Sequence, residues 1–415
     1  MTSNNFRFDL SEYLIHFFRK LDPSADDCPL LPEHWGFNQI QDCMDEPLSP
    51  LFLLRNSIRY GRIWATWSVR SARRTIYGTD PAVCFTEMPI AAFLEAGEQR
   101  KSKGEKMSSY GLVIPKTGLH HVGGRPVIYG LDGDVQVKNG PYGERRIETH
   151  LLPAKEQYRY VTYVPGQIDW SHEREWRWPL RNAPPMDPEE VLPDIADLHG
   201  LDLDDPELSG LGVIVSTHEQ AEKVLYGILA KVDRNEISAD HYRFILPIED
   251  IPDISVIRDR GELNQALSAA AIDLSPYFAT TDKQAAALED TFSKLVKSVE
   301  KATPKIDNGE IGGCWLWILD HTHPLSRALI KTGRAQMNQD GKCLASLPEY
   351  NDHRSMAQRE TMTQQLAKSV KKAFGVETDY FSVLKEDNID GVPFYCGDQI
   401  DNKKLFNWSN DADDF

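Results

Sequence analysis

The segment that most constrains the fold lies past the middle of the chain. Leu211–Ser216 (LGVIVS) is a compact apolar run that predicts a strand. His218–Lys231 then places Ala221, Val224, Leu225 and Ile228 at helical spacing, and Tyr242–Pro247 (YRFILP) predicts a second strand. A strand–helix–strand unit of this size must bury its sheet face against something. The N-terminal half is the nearest partner. The stretch before it, from Pro179 to Gly210, holds six prolines and nine acidic residues against Arg181 alone. It reads as a solvated insertion (179–210), not a domain boundary.

The last hundred residues alternate again. Gly313–Leu319 (GCWLWIL), Lys342–Leu347, Tyr380–Leu384 and Val392–Tyr395 predict strands. Pro324–Thr332 predicts a helix with Pro in its first turn, and Met356–Phe374 an amphipathic helix closed by Gly375. Between the two regions, a helix over Lys283–Lys301 reads as a spacer. The expected organisation is α+β: residues 1–257, a helical spacer 258–310, and a smaller C-terminal α/β domain, 311–415.

Composition narrows the function classes. With 41% hydrophobic and 26% charged residues the chain is ordinarily globular. The net charge of −17 disfavours non-specific binding to nucleic acid or anionic lipid. Six cysteines without a CxxC pair argue against a disulfide scaffold or a four-cysteine zinc module. No run of 18 apolar residues predicts a membrane span. The first twenty residues are broken by Asp9, Glu12 and His16, unlike a secretory signal. The expectation is a cytoplasmic protein that does not engage membranes.

Three features of residues 50–180 could carry chemistry. Residues 51–80 hold Arg55, Arg59, Arg62, Arg70, Arg73 and Arg74 against Asp80 alone, a local inversion of the chain's sign. The first three share one face of a helix from Pro50 to about Gly61, which a solvated surface explains equally well. Arg70, Arg73 and Arg74 fall in a loop-like stretch suited to bidentate phosphate capture. Ala82–Pro89 (AVCFTEMP) predicts a strand ending in Thr86 and Glu87. These sit either at a cleft or at the cap of a following helix. Ser171–Trp178 (SHEREWRW) predicts a strand with Glu173, Glu175 and Arg177 on one face. Paired carboxylates there can raise one another's pKa, or form plain salt bridges with arginine. Val122–Tyr129 (VGGRPVIY) lacks either common phosphate-loop pattern and reads as a tight turn.

The order of an arginine segment, a strand ending in Thr-Glu and a late ExE strand resembles the R–S/T–E arrangement of ADP-ribosyltransferases. More narrowly it is similar to bacterial DarT-like and abortive-infection-associated families. The shared pattern is LFLLRNSIRYG, VRSARR, CFTE, then Tyr110, Gly111 and Val113, the Pro126–Tyr129 strand and the Glu173–Arg177 strand. The resemblance covers roughly residues 50–180 plus the LGVIVS unit. It implies an ADP-ribosyltransferase-like mixed sheet with NAD as co-substrate. Glu175 would stabilise the oxocarbenium-like ribose, and Glu173 would orient the acceptor. Arg70, Arg73 and Arg74, with Thr86 and Glu87, would bind the cofactor. No metal is required. It further implies an anti-phage or toxin effector, a nucleic-acid or protein acceptor, and an antitoxin or phage-derived trigger as partner. Such folds offer a His or Arg from their first strand, for which His34 and Arg55 are candidates. The strict S-T-S motif is absent, with Thr86 the nearest substitute. The C-terminal region resembles an uncharacterised domain of defence-island proteins.

Two other classes fit the residues. In one, the same fold senses a phage component or nucleotide without catalysis. In the other, Glu87, Glu173 and Glu175 surround Mg²⁺ in a nuclease. In the C-terminal region, Asp320, His321 and His323 invite a metal reading, though a loop leading into a helix explains them equally. Arg327 and Arg334 are expected on an exposed helix face, Trp315 and Trp317 in a core, and Cys314, Cys343 and Cys396 as buried hydrophobes.

Overall fold

A computed structural model describes residues 11–20, 47–70, 73–102, 108–140, 144–181, 200–253 and 260–396. The protein is α+β, with a large mixed sheet and helices and a separate smaller sheet. The chain divides into two compact units. The first comprises residues 1–221 and 240–272, and the second 222–239 and 273–407.

The first unit is built on β1 (Tyr13–Phe18), β2 (Ala82–Thr86), β3 (Tyr110–Pro115), β4 (Arg125–Pro126), β5 (Glu175–Pro179), β6 (Leu211–Val215), β7 (Tyr242–Pro247) and β8 (Ile272–Asp273). Their order across the sheet is β8-β7-β6-β3-β1-β2-β5-β4. The pair β6/β7 is parallel, as its helical crossover requires. The pairs β6/β3, β3/β1, β1/β2, β2/β5 and β5/β4 are antiparallel. The central strands are apolar on both faces because helices cover both. On one face Phe93 and Leu94 of α2 (Ile90–Ser102) and Ala270 of α5 (Arg260–Ala270) cluster with Ile15, Val113, Ile214 and Leu246. Helix α1 (Pro50–Arg59) packs on β1 and β3 and buries Leu51, Leu54 and Ile58 completely. It starts at Ser49, whose hydroxyl accepts from Phe52 N, and stops before Gly61, which turns the chain at φ +61°. Helices α3 (Lys116–His121) and α4 (His218–Asp233) follow β3 and β6.

The second unit holds an antiparallel five-stranded sheet, with β9 (Gly312–Ile318) at its centre, β10 (Ala335–Met337), β11 (Cys343–Ala345), β12 (Thr378–Leu384) and β13 (Pro393–Cys396). The order is β10-β11-β9-β12-β13. Helices α6 (Asp282–Ala302), α7 (Pro324–Lys331) and α8 (Met356–Phe374) supply Phe292, Val296, Leu325, Leu329, Met362 and Leu366 to one core. The helix read as a spacer is thus a core element of this unit. Trp315 and Trp317 share the other sheet face with Leu344, Phe381 and Val383.

Several expectations need correction. Ser171–Trp178 is not one strand. Ser171–Glu173 is a single 3₁₀ turn and β5 starts only at Glu175, because Arg174 between them is left-handed at φ +48°. Arg327 and Arg334 are not exposed: Arg327 forks Asp233 at 2.7 Å from both oxygens, and Arg334 lies past the end of α7 and pairs with Glu349. His34, residues 182–199 of the insertion, the 409–415 tail and the side chain of Cys396 lie outside the described residues. Among the described residues no helix is long and apolar enough to cross a membrane.

Candidate functional site

Strands β2 and β5 run side by side, and their register sets Glu175 opposite Thr86. Directly paired residues share a sheet face, so the hydroxyl and the carboxylate project together. Thr86 is 3% exposed. Its Oγ donates to the Glu173 carbonyl at 2.7 Å and accepts from Met88 N at 3.2 Å. It therefore ties the Glu173 turn to the end of β2. Glu87 follows, and its backbone N–H donates to Arg174 O. Its carboxylate is clamped from two sides, by Lys116 Nζ at 2.5 Å and Trp176 Nε1 at 2.7 Å.

Each of the two acids of the ExE pair has its own arginine. Arg177, on the same face two residues on, donates from Nε at 2.7 Å and Nη2 at 3.0 Å to the two oxygens of Glu175. Arg177 is almost wholly buried and also donates to Tyr158 O. Burial alone would lower its pKa, yet Glu175 beside it raises it above the ordinary arginine value. The Glu175 backbone N–H donates to the Tyr129 hydroxyl at 2.8 Å. Burial holds that phenol protonated well above its usual range. Glu173 sits instead on Arg100 Nη2 at 2.7 Å, and the same guanidinium donates to His172 Nε2 at 2.8 Å. Cys84 pairs with Arg177 in register; burial, then the Glu175 charge, push its thiol up and leave it unreactive.

The arginine segment lies elsewhere. Val69–Arg70 and Arg73–Arg74 form a two-stranded hairpin, in which the Arg70 side chain is outside the described residues. Arg73 is exposed. Arg74 stacks over Trp67, 4.1 Å from the ring centroid, and burial lowers its pKa despite the nearby Glu144. Trp67 in turn packs with Ala82 and Tyr158. Ala82 is the opposite end of β2 from Thr86, roughly 13 Å away at a strand's rise per residue. Thr86, Glu173 and Glu175 thus come together, whereas the Glu87 carboxylate turns away to Trp176, which projects from the opposite sheet face, and Arg74 rests at the far end of the same strand.

His16 is the residue that sequence reasoning missed. It sits mid-β1, and its Nδ1 bonds Cys84 O at 2.9 Å. A carbonyl only accepts, so Nδ1 carries the proton. Burial pulls its pKa down to about 4, outweighing that bond. A cleft of about 180 Å³ opens here, lined by His16, Phe18, Ser57, Trp64, Thr66 and Cys84 among others. His16 does not share a face with the acids: its neighbour Ile15 pairs with Thr86, and its own ring stands edge-on to Phe85 at 5.7 Å. The signal in the sequence is YLIHFF, an apolar run with one polar residue at its centre. Arg55 lies on α1.

Among the described residues no group of three His, Cys, Asp or Glu side chains could hold a metal ion. His323 instead caps α7, its Nδ1 accepting from Leu325 N at 3.1 Å. No curated protein and no solved structure matches the chain significantly. Residues 281–408 match a family described as a protein of unknown function (DUF4427).

Proposed function

We propose that the chain is an ADP-ribosyltransferase-like effector that cleaves NAD at the β2/β5 strand ends, in bacterial anti-phage defence or a toxin system. The observation that carries the reading is the register of Glu175 on Thr86, with Arg177 holding the Glu175 carboxylate in one orientation. A fixed anion is what an oxocarbenium-like ribose needs, because it need not reorganise as positive charge develops. Glu175 is 19% exposed at its side chain, so one edge remains open to a ligand. Glu173 would orient the acceptor, a macromolecule or water. Arg73 and Arg74 would take the phosphates, with the dinucleotide running along β2.

A second reading has its own observation in support. Both acids are spent on arginines, Glu175 on Arg177 and Glu173 on Arg100. That is the pattern of a non-catalytic module in which the pair is structural. Incubating the full chain with NAD, with and without cell extract, separates the two. Release of free nicotinamide supports the enzyme. Stabilisation by NAD in a thermal melt without nicotinamide release supports the binding module. The absence of both responses removes NAD from the account.

A further inference from the structure

The turn Asp320–His323 joins β9 to α7 in the second unit. Two of its polar side chains are accounted for. His323 caps the helix and its Nε2 donates to Phe374 O at 3.2 Å. Asp320 Oδ1 accepts from the Tyr226 hydroxyl at 2.8 Å, and from Thr322 N at 2.8 Å and Thr322 Oγ1 at 2.6 Å. His321 is different. Its side chain is 0% exposed, and the Tyr226 ring lies 4.9 Å from it, tilted by 58°. Neither of its ring nitrogens has a hydrogen-bond partner among the described residues.

Burial, with the Arg327 charge nearby, pulls the His321 pKa down to about 3, so the ring is neutral. A neutral imidazole carries one donor and one acceptor. Leaving both unbonded in a core is costly, and buried polar groups are nearly always satisfied by protein or by ordered water. We propose that His321 binds an internal water, shared with the Asp320–Tyr226–Thr322 network beside it. A buried water needs two to four polar partners. The ring supplies one. The second Asp320 oxygen, which accepts from none of the described residues, and the lone pairs of the Tyr226 hydroxyl supply the others. The water would fasten α4, which carries Tyr226, to the turn before α7.

The test uses the full chain. With water on the ring, His321→Leu strips the water of a partner and lowers the melting temperature by several degrees, and His321→Gln, which keeps a donor and an acceptor, restores part of the loss. A Leu variant that melts at or above wild type overturns the proposal, because it has merely removed two unbonded polar atoms. Should the Leu variant not fold, a crystal structure of the wild type decides. A solvent peak within about 3.2 Å of a His321 nitrogen supports the site, and a ring with no such peak overturns it.

Discussion

Glu173 and Glu175 are two positions apart in sequence and unlike in energetics. Glu175 neutralises a guanidinium that has almost no water of its own, whereas Glu173 and Arg100 are each about one-fifth exposed. Glu175→Gln leaves Arg177 buried with half its fork, and should cost about 1–3 kcal/mol of stability. Glu173→Gln should cost about 1 kcal/mol or less. Urea titrations of both variants check the contrast, and equal losses would count against the burial argument. His16 gives a pH prediction. Its pKa is about 4 in the folded chain against an ordinary 6.5, so the unfolded chain binds the proton first as pH falls. Its contribution to stability is intact above about 6.5 and is lost progressively down to about 4. His16→Gln should flatten that part of the stability–pH curve, and a slope unchanged by the variant would show that other groups cause it.

Elements with strong local signals form where the sequence puts them. Met356–Phe374 is a helix because its apolar positions recur at helical spacing, Ser355 caps one end, and Gly375 at φ +79° closes the other. Gly375→Ala should therefore cost about 1 kcal/mol in a thermal melt, since only glycine adopts that conformation freely. No loss would mean that the helix ends for another reason. The β6–α4–β7 unit is legible on the same grounds. The ExE strand is not. Its alternation of charged and aromatic residues fits a strand, but nothing in SHEREWRW announces that Arg174 turns left-handed and swings Glu173 off β5. β1 is hard to read for the opposite reason: YLIHFF is short and lies between charged flanks, so its local pattern does not mark a central strand. The pairing of Thr86 with Glu175 is half visible. Each residue stands out alone, but the register that joins them depends on pairing between segments far apart in the chain, which local pattern does not encode.

At the scale of the molecule, the second unit is not one continuous piece of chain. Residues 222–239 belong with 273–407, and they bring Asp233 to Arg327 and Tyr226 to Asp320. A fragment of residues 273–407 alone would strand the Arg327 guanidinium, a loss of about 3–5 kcal/mol when one partner of a buried pair is removed. It should be proteolysed far faster than a chain that carries both segments, and equal resistance would contradict the assignment of 222–239 to this core. The functional account turns on the first unit, where the acid cluster and the arginine hairpin occupy opposite ends of β2. Its most direct test is a crystal structure of the full chain with a non-hydrolysable NAD analogue. The account predicts the nicotinamide ribose within hydrogen-bond distance of Glu175 and the phosphates at Arg73 and Arg74. An analogue bound away from both ends of β2, or not bound at all at saturating concentration, would contradict it.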